Sequence, residues 1–243
     1  MILTDDNFAT IVKAVEYGRA IYDNLSKYIR FQMTALVAFI VAYLGAALFF
    51  IAGGEPFGPL VVLWVNFVQV PMAIALGIDR PLPGLMARKP RPSNQPVLSR
   101  AQWLRLGFIG FLIALGTLVL ETRYEPAGAE VAATIGFVVF SLFNLSMAIN
   151  SRSETDTVFQ HNPVGERRQL MLYGLAFLMR FLPTELGCAQ RFLGLVSLNG
   201  SQWLLCLAFA LALTLVYEVM KFFLRRSRSH SEPAVAVPAQ VPA

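Results

Sequence analysis

Residues 31–52 read FQMTALVAFIVAYLGAALFFIA, an apolar run that contains no Asp, Glu, Lys or Arg. A helix of about 20 apolar residues is long enough to cross the ~30 Å hydrocarbon core of a bilayer. Lipid tails offer no hydrogen bonds to the backbone, whereas a helix pairs its backbone groups internally. The run therefore predicts a membrane-spanning helix.

Similar runs recur along the rest of the chain, which is 56% hydrophobic and only 14% charged. Soluble domains usually carry about 25% charged residues, so the composition argues against an ordinary water-soluble protein. We expect an all-α membrane protein whose six-transmembrane-helix bundle occupies residues 31–224. The predicted spans are residues 31–52, 57–78, 103–120, 131–149, 170–186 and 203–223.

The residues before the first span predict a continuation of the same helix into water. Residues 7–52 contain no proline, and Phe8, Ile11 and Val15 recur at helical spacing. We expect one helix of about 45 residues, roughly 70 Å long, whose first part belongs to a cytoplasmic stalk at residues 1–30. At the other end of the chain, residues 225–243 are rich in Ser, Pro and Ala and are expected to form a disordered cytoplasmic tail.

The Lys and Arg residues are distributed unequally between the two sides of the predicted bundle. They concentrate in the stalk, in the second and fourth connections and after the last span, whereas the opposite loops hold only Arg123 and Arg191. Basic loops remain in the cytoplasm, so we expect both termini there, as six spans require. The net charge of +5 is attributed to this membrane face, and no nucleic-acid partner is expected.

Several motifs resemble one family, in the same order, along almost the whole chain. Residues 4–11, TDDNFATI, and 18–24, GRAIYDN, resemble the end of the phosphorylation domain and the stalk of the fifth membrane helix in type II, calcium-pump-like P-type ATPases. Residues 63–66, LWVN, resemble the start of the sixth helix, 150–154, NSRSE, the end of the eighth, and 218–222, EVMKF, part of the tenth. The resemblance implies the C-terminal transmembrane region of a cation-transporting ATPase, in a bacterial plasma membrane.

The catalytic motifs of that family are missing from these 243 residues. Neither DKTGT, whose aspartate accepts the phosphoryl group, nor TGDG, which helps to bind magnesium, occurs in the sequence. Phosphoryl transfer depends on positioning and on neutralising phosphate charge. We therefore do not expect the chain by itself to be an ATPase, and we assign no catalytic residue and no cofactor.

The resemblance also implies where cation ligands would lie, and the acidic ligands are absent. The ligands of the family's fifth helix align with apolar residues, and the Glu of its eighth helix aligns with Asn144. In the sixth helix Asn66 is kept, Gln69 replaces a Thr, and the Asp is deleted or replaced by Val70. A dehydrated divalent ion would lack a counter-charge, so no metal site is assigned. Asn66, Gln69 and Asn144 are candidates for a residual ion path; the alternative is interhelical hydrogen bonding.

Four other residues in or near the spans allow specific expectations. Pro71 could open its helix and free carbonyl groups for an ion, or it could produce an ordinary kink. Arg180 is either a functional charge or, as we favour, a side chain that reaches toward the outer face and Glu185. Asp79 and Glu121 are expected near water at the ends of helices.

Three hypotheses of function are consistent with these features. The first is a membrane-domain fragment of a cation pump that is inactive alone in cation transport. The second is a membrane interaction partner or subunit of a full-length transporter. The third is a small carrier of monovalent ions, for which uncharged oxygen ligands suffice. The expected partners are the lipid bilayer and, depending on the hypothesis, a cation or a full-length pump.

Overall fold

The structure, a computed structural model, describes residues 8–80, 85–87, 92, 96–152 and 167–229. Three short 3-10 segments, Ile51–Gly54, Leu85–Ala87 and Glu125–Ala127, lie between the helices, and no strand occurs in the described ranges. The predicted all-α membrane bundle is confirmed. The α-helices are α1 Phe8–Phe49, α2 Pro59–Gly77, α3 Arg100–Tyr124, α4 Ala129–Asn150, α5 Arg167–Glu185, α6 Gly187–Leu193 and α7 Gly200–Ser229.

Five of these helices, α1 to α4 and α7, are long and apolar enough to cross a membrane. Helices α5 and α6 are long and apolar enough to cross a membrane only when they are taken together, and the chain bends by 85° between them. The bend falls at Leu186, whose backbone is extended (φ −87°, ψ 113°), and Pro183 lies in the last turn of α5. The described helices therefore provide five spans, or six when the bent pair counts as one.

Helix α1 has 42 residues, close to the roughly 45 that the sequence predicts. One face is buried at intervals of three or four residues from Ala20 to Ala46, and its second half carries four alanines. The membrane half of this face packs against α3. A Cβ atom added to Gly110 of α3 would meet Val37 Cγ1 at 2.8 Å, so small residues allow the two backbones to approach closely.

Helix α4 occupies the centre of the bundle. Its apolar window is 83% buried, compared with 17% for α7, and it contacts α2, α3, α5 and α7. The ring centroid of Phe140 on α4 lies 4.5 Å from that of Phe39 and 5.1 Å from that of Phe57. The core is thus assembled around α4, while other helices expose large apolar side chains such as Leu63 and Leu211.

The last helix ends later than the sequence predicts. Helix α7 continues to Ser229, so the predicted start of the disordered tail at residue 225 is too early. Arg225 and Arg226 fall in the last turns of α7, where positive charge is favourable beside the helix C-terminus. The rest of the predicted tail, residues 230–243, and the first residues of the predicted stalk, 1–7, lie outside the described residues.

Candidate functional site

The three candidates for an ion path lie in different environments. Asn66 is exposed on α2, where its amide donates to Val62 O at 2.8 Å. Gln69 is buried, and neither polar atom of its amide has a partner within the described residues. Asn144 of α4 is fully buried and donates to Phe140 O at 2.8 Å, while its Oδ1 has no partner there. The structure thus places Gln69 and Asn144 in the interior and leaves Asn66 on the surface.

A buried guanidinium lies between the helices that carry the two interior amides. Arg180 of α5 is 2% exposed. Its Nε donates to Ser141 O at 2.9 Å, its Nη1 to Ala176 O at 2.6 Å, and its Nη2 to Met72 Sδ at 3.4 Å. Our expectation that Arg180 reaches the outer face and Glu185 is wrong, because the side chain points toward α4 and Glu185 is exposed.

This arrangement puts a positive charge close to both interior amides. Ser141 precedes Asn144 by three residues on α4, and Met72 follows Gln69 by three residues on α2. Each amide is therefore about one helical turn from a residue that binds Arg180. All three acceptors of the guanidinium are uncharged. The interior thus combines neutral oxygens with a fixed cation, and a second cation placed there would be repelled.

Pro71 does not interrupt α2. The helix runs from Pro59 to Gly77 without a gap, although Pro71 has no N–H group to offer the carbonyl of Phe67, four residues earlier. The structure therefore agrees with a proline inside a continuous helix. It does not show the opened helix that would expose several carbonyl groups to an ion.

A second polar cluster lies where α1 leaves the bundle to form the stalk, residues 8–30. Asp79, two residues after α2, is 6% exposed, so the expectation that it lies near water is wrong. Its Oδ2 is 2.7 Å from Lys27 Nζ of α1, and its Oδ1 is 2.7 Å from Arg152 Nη2, just after α4. Gln169 Nε2 of α5 lies 3.4 Å from the same Oδ1. One carboxylate therefore connects four helices.

Side-chain amides in this cluster also bind the last carbonyl groups of α2. Asn24 donates to Gly77 O at 3.1 Å and to Asp79 O at 2.7 Å, and Gln169 donates to Ala75 O at 2.7 Å. The last carbonyl groups of a helix have no partner inside it, so these amides satisfy acceptors that burial would otherwise leave unpaired. We refer to the following residues as the Asp79 cluster: Asn24, Lys27, Asp79, Arg152 and Gln169.

The neighbouring cations keep the carboxyl group of Asp79 ionised. Burial alone would raise the pKa of Asp79, but hydrogen bonds from Arg152 and Lys27 outweigh it and hold the pKa below its ordinary value. A carboxyl group whose pKa is lowered by folding stabilises the folded protein above its ordinary pKa of about 3.9. That contribution is lost as the pH falls through the lower pKa of the folded state.

Sequence reasoning did not identify the Asp79 cluster as a site. In the structure, Ala20, Asn24, Lys27 and Phe31 lie on one buried face of α1. Because two of these four residues are polar, their spacing alone does not mark the face as buried. Nor does it identify Asp79 as the partner of Lys27, since the two residues are 52 positions apart.

The family comparison covers most of the bundle. The family model described as "Cation transporting ATPase, C-terminus" matches residues 54–223. The chain belongs to this family. The residues that match this cation-transporting ATPase C-terminus include helices α2 to α6, and with them Asp79 and Arg180. The resemblance inferred from the motifs is confirmed.

Calcium pumps are among the relatives of this ATPase C-terminal region. The calcium-transporting ATPase of Bacillus subtilis (strain 168) is 38% identical over 167 residues, which are 67% of this chain and 18% of that protein. Calcium-transporting ATPase 1 of Schizosaccharomyces pombe is 30% identical over 230 residues, 93% of this chain and 25% of that protein. Human plasma membrane calcium-transporting ATPase 3 is 32% identical over 229 residues, 85% of this chain and 18% of that protein. The chain thus spans a quarter or less of these relatives.

The Asp79→Asn substitution should destabilise the folded chain. It leaves Lys27 and Arg152 without a negative partner, and breaking a buried ion pair in this way typically costs about 3–5 kcal/mol. Denaturant unfolding of the detergent-purified variant should show a lower midpoint than the unaltered protein. The control Glu185→Gln, which removes an exposed carboxylate, should leave the midpoint unchanged.

The difference between Asp79→Asn and the unaltered protein should also depend on pH. The difference in unfolding midpoint should be largest near neutral pH. It should become smaller below about pH 4, because Asp79 then becomes protonated in the unaltered protein. An equal midpoint for the two proteins near neutral pH would show that the Asp79 cluster contributes nothing to stability.

Proposed function

We propose that this chain acts as the membrane domain of a P-type cation pump and that, by itself, it neither hydrolyses ATP nor binds divalent cations for transport. The residues inside the helix bundle are the observation that supports the absence of divalent-cation binding. Gln69 and Asn144 offer neutral oxygens there, and Arg180 places a positive charge beside them. Membership of the cation-transporting ATPase family supports the role of a membrane domain.

The charges of the helices around this interior explain why a calcium ion would bind poorly. Calcium requires about six to eight oxygen ligands, usually including several carboxylates. Helix α2 contains no acidic residue, and the acidic residue of α4, Glu130, is exposed in its first turn. An ion that left water for this interior would lose its hydration without gaining a counter-charge. Arg180 would repel it as well.

We propose in addition that both termini lie in the cytoplasm and that the membrane is a bacterial plasma membrane. The cations of the Asp79 cluster, Lys27 and Arg152, lie at the stalk end of the bundle. Arg123 lies in the last turn of α3 and Arg191 in the last turn of α6, after the chain has run away from that end. A bias of basic residues toward one side favours the cytoplasm for that side. The similarity to an ATPase of Bacillus subtilis supports a bacterial source.

Incubation of the purified chain with labelled ATP and magnesium should leave the polypeptide unlabelled. The aspartate of a DKTGT motif, which would accept the phosphoryl group, does not occur in these residues. The intact calcium-transporting ATPase of Bacillus subtilis serves as the positive control. Acid-stable, hydroxylamine-sensitive label on this chain would contradict the proposal.

Isothermal titration of the detergent-purified chain with calcium should show no saturable site below roughly millimolar, the weak end of protein calcium sites. The expected reason is the lack of a counter-charge beside Gln69 and Asn144. A micromolar site that Gln69→Ala abolishes would show that the interior still holds an ion. The matched variant Asn66→Ala changes an exposed amide of the same helix and should leave such a site intact.

Reporter fusions should place both ends of the chain in the cytoplasm. We expect external signals after residues 54, 125 and 199, and cytoplasmic signals after residues 94, 160 and 231. The reason is that the basic residues concentrate in the segments around the second set of positions. The fusion after residue 199 is decisive for the bent pair of α5 and α6. A cytoplasmic signal there, together with an external C-terminus, would show a re-entrant loop and would refute the proposed topology.

A further inference from the structure

Glu121 of α3 is a buried carboxyl group that has no partner in the described part of the chain. It is 1% exposed, so the expectation that it lies near water is wrong, although α3 ends only three residues later at Tyr124. Neither Oε1 nor Oε2 has a hydrogen-bond partner within the described residues. Buried polar groups are nearly always hydrogen-bonded, so this carboxyl group requires an explanation.

On the side that faces α4, the packing of Glu121 leaves no space for a metal ion. A Cβ atom added to Gly136 of α4 would overlap the Glu121 carboxyl group, so this group already fills the space beside the α4 backbone. A metal site would need several further ligands around the ion. The described residues contain no group of three His, Cys, Asp or Glu that could hold a metal. A proton is the ligand that fits this space.

Among the residues that the structure describes, no cation near this end of α3 compensates for an ionised Glu121. In the membrane half of α1 the titratable residue is Tyr43, which interacts electrostatically with Glu121 but donates its hydroxyl to Phe57 O at 2.8 Å. Arg123, two residues along α3, is exposed and lies over the ring of Tyr124. The remaining titratable residues of the neighbouring segments at this end are acids or a thiol: Glu55, Glu125, Glu130 and Cys206.

We propose that Glu121 is a proton-binding site of the bundle, a carboxylic acid that is neutral near neutral pH and exchanges its proton with water at the end of α3. An ionised carboxylate without a partner is far more unfavourable in such a site than its protonated form. The route to water is short, because the end of α3 is about one helical turn away. Thr122 and Arg123 are exposed there.

This assignment gives Glu121 a distinct reactivity. A hydrophobic carbodiimide enters apolar regions and requires a protonated carboxyl group. The carboxyl proton is transferred to one carbodiimide nitrogen while the carboxylate oxygen bonds to the central carbon. The resulting O-acylisourea rearranges to a stable N-acylurea, and no atom is lost. Exposed carboxylates that are ionised near neutral pH, such as Glu125, should react much less.

Infrared spectroscopy of the purified full chain near neutral pH tests the proposal directly. The unaltered protein should show the C=O stretching band of a protonated carboxyl group, and the band should shift in heavy water. Glu121→Gln should lose this band, whereas Glu125→Gln, which removes an exposed carboxylate, should retain it. A missing band in the unaltered protein, a band that persists in Glu121→Gln, or one that does not shift in heavy water would overturn the proposal.

Carbodiimide labelling of the unaltered chain provides a second test that does not depend on the folding of a variant. Mass spectrometry of its peptides should locate the N-acylurea adduct at Glu121, in preference to Glu125 and Glu130. Adducts confined to the exposed carboxyl groups would show that Glu121 is not a protonated site.

Discussion

The ion pairs of Asp79 with Lys27 and Arg152 position the helices at the stalk end of the bundle. Contacts between membrane helices are mostly van der Waals packing, which tolerates small shifts along the helix axes. A carboxylate held at 2.7 Å by cations from two other segments allows much less movement. Since Asn24 and Gln169 also bind the final carbonyl groups of α2, the same cluster fixes the position of the helix that carries Gln69.

The buried charged residues illustrate how the surroundings decide what a charge can do. Asp79 remains ionised because two cations lie within hydrogen-bond distance. Glu121 has the same functional group but contacts the backbone of α4 and no cation, which is the basis for assigning it a proton. Arg180 is surrounded by neutral acceptors. Helices α3 and α5 both pack against α4, yet Glu121 and Arg180 form no ion pair within the described residues.

A membrane bundle of this family can keep its fold while its ion ligands change, because the two depend on different residues. The position of α4 depends on aromatic and small residues, such as Phe140 against Phe39 and Phe57. Neither of these aromatic contacts involves a carboxylate. The proposed loss of divalent-ion binding therefore requires no loss of structure, in keeping with the general separation between a fold and the site that it carries.

The sequence by itself determined the helices, because apolar runs in lipid must pair their backbone groups internally, and a proline-free stretch predicts the single long α1. It did not indicate which face of the stalk is buried, and the burial of Lys27 is seen only in the structure. Only the tertiary structure decided that Asp79 and Glu121 are buried, that Arg180 points toward α4, and that α5 and α6 meet at 85°. The physical reason is that a helix apolar on all sides has no periodicity that identifies its inner face. The environment of each polar side chain then depends on helices that are distant in sequence, as Gln169 is from Asp79 by 90 positions.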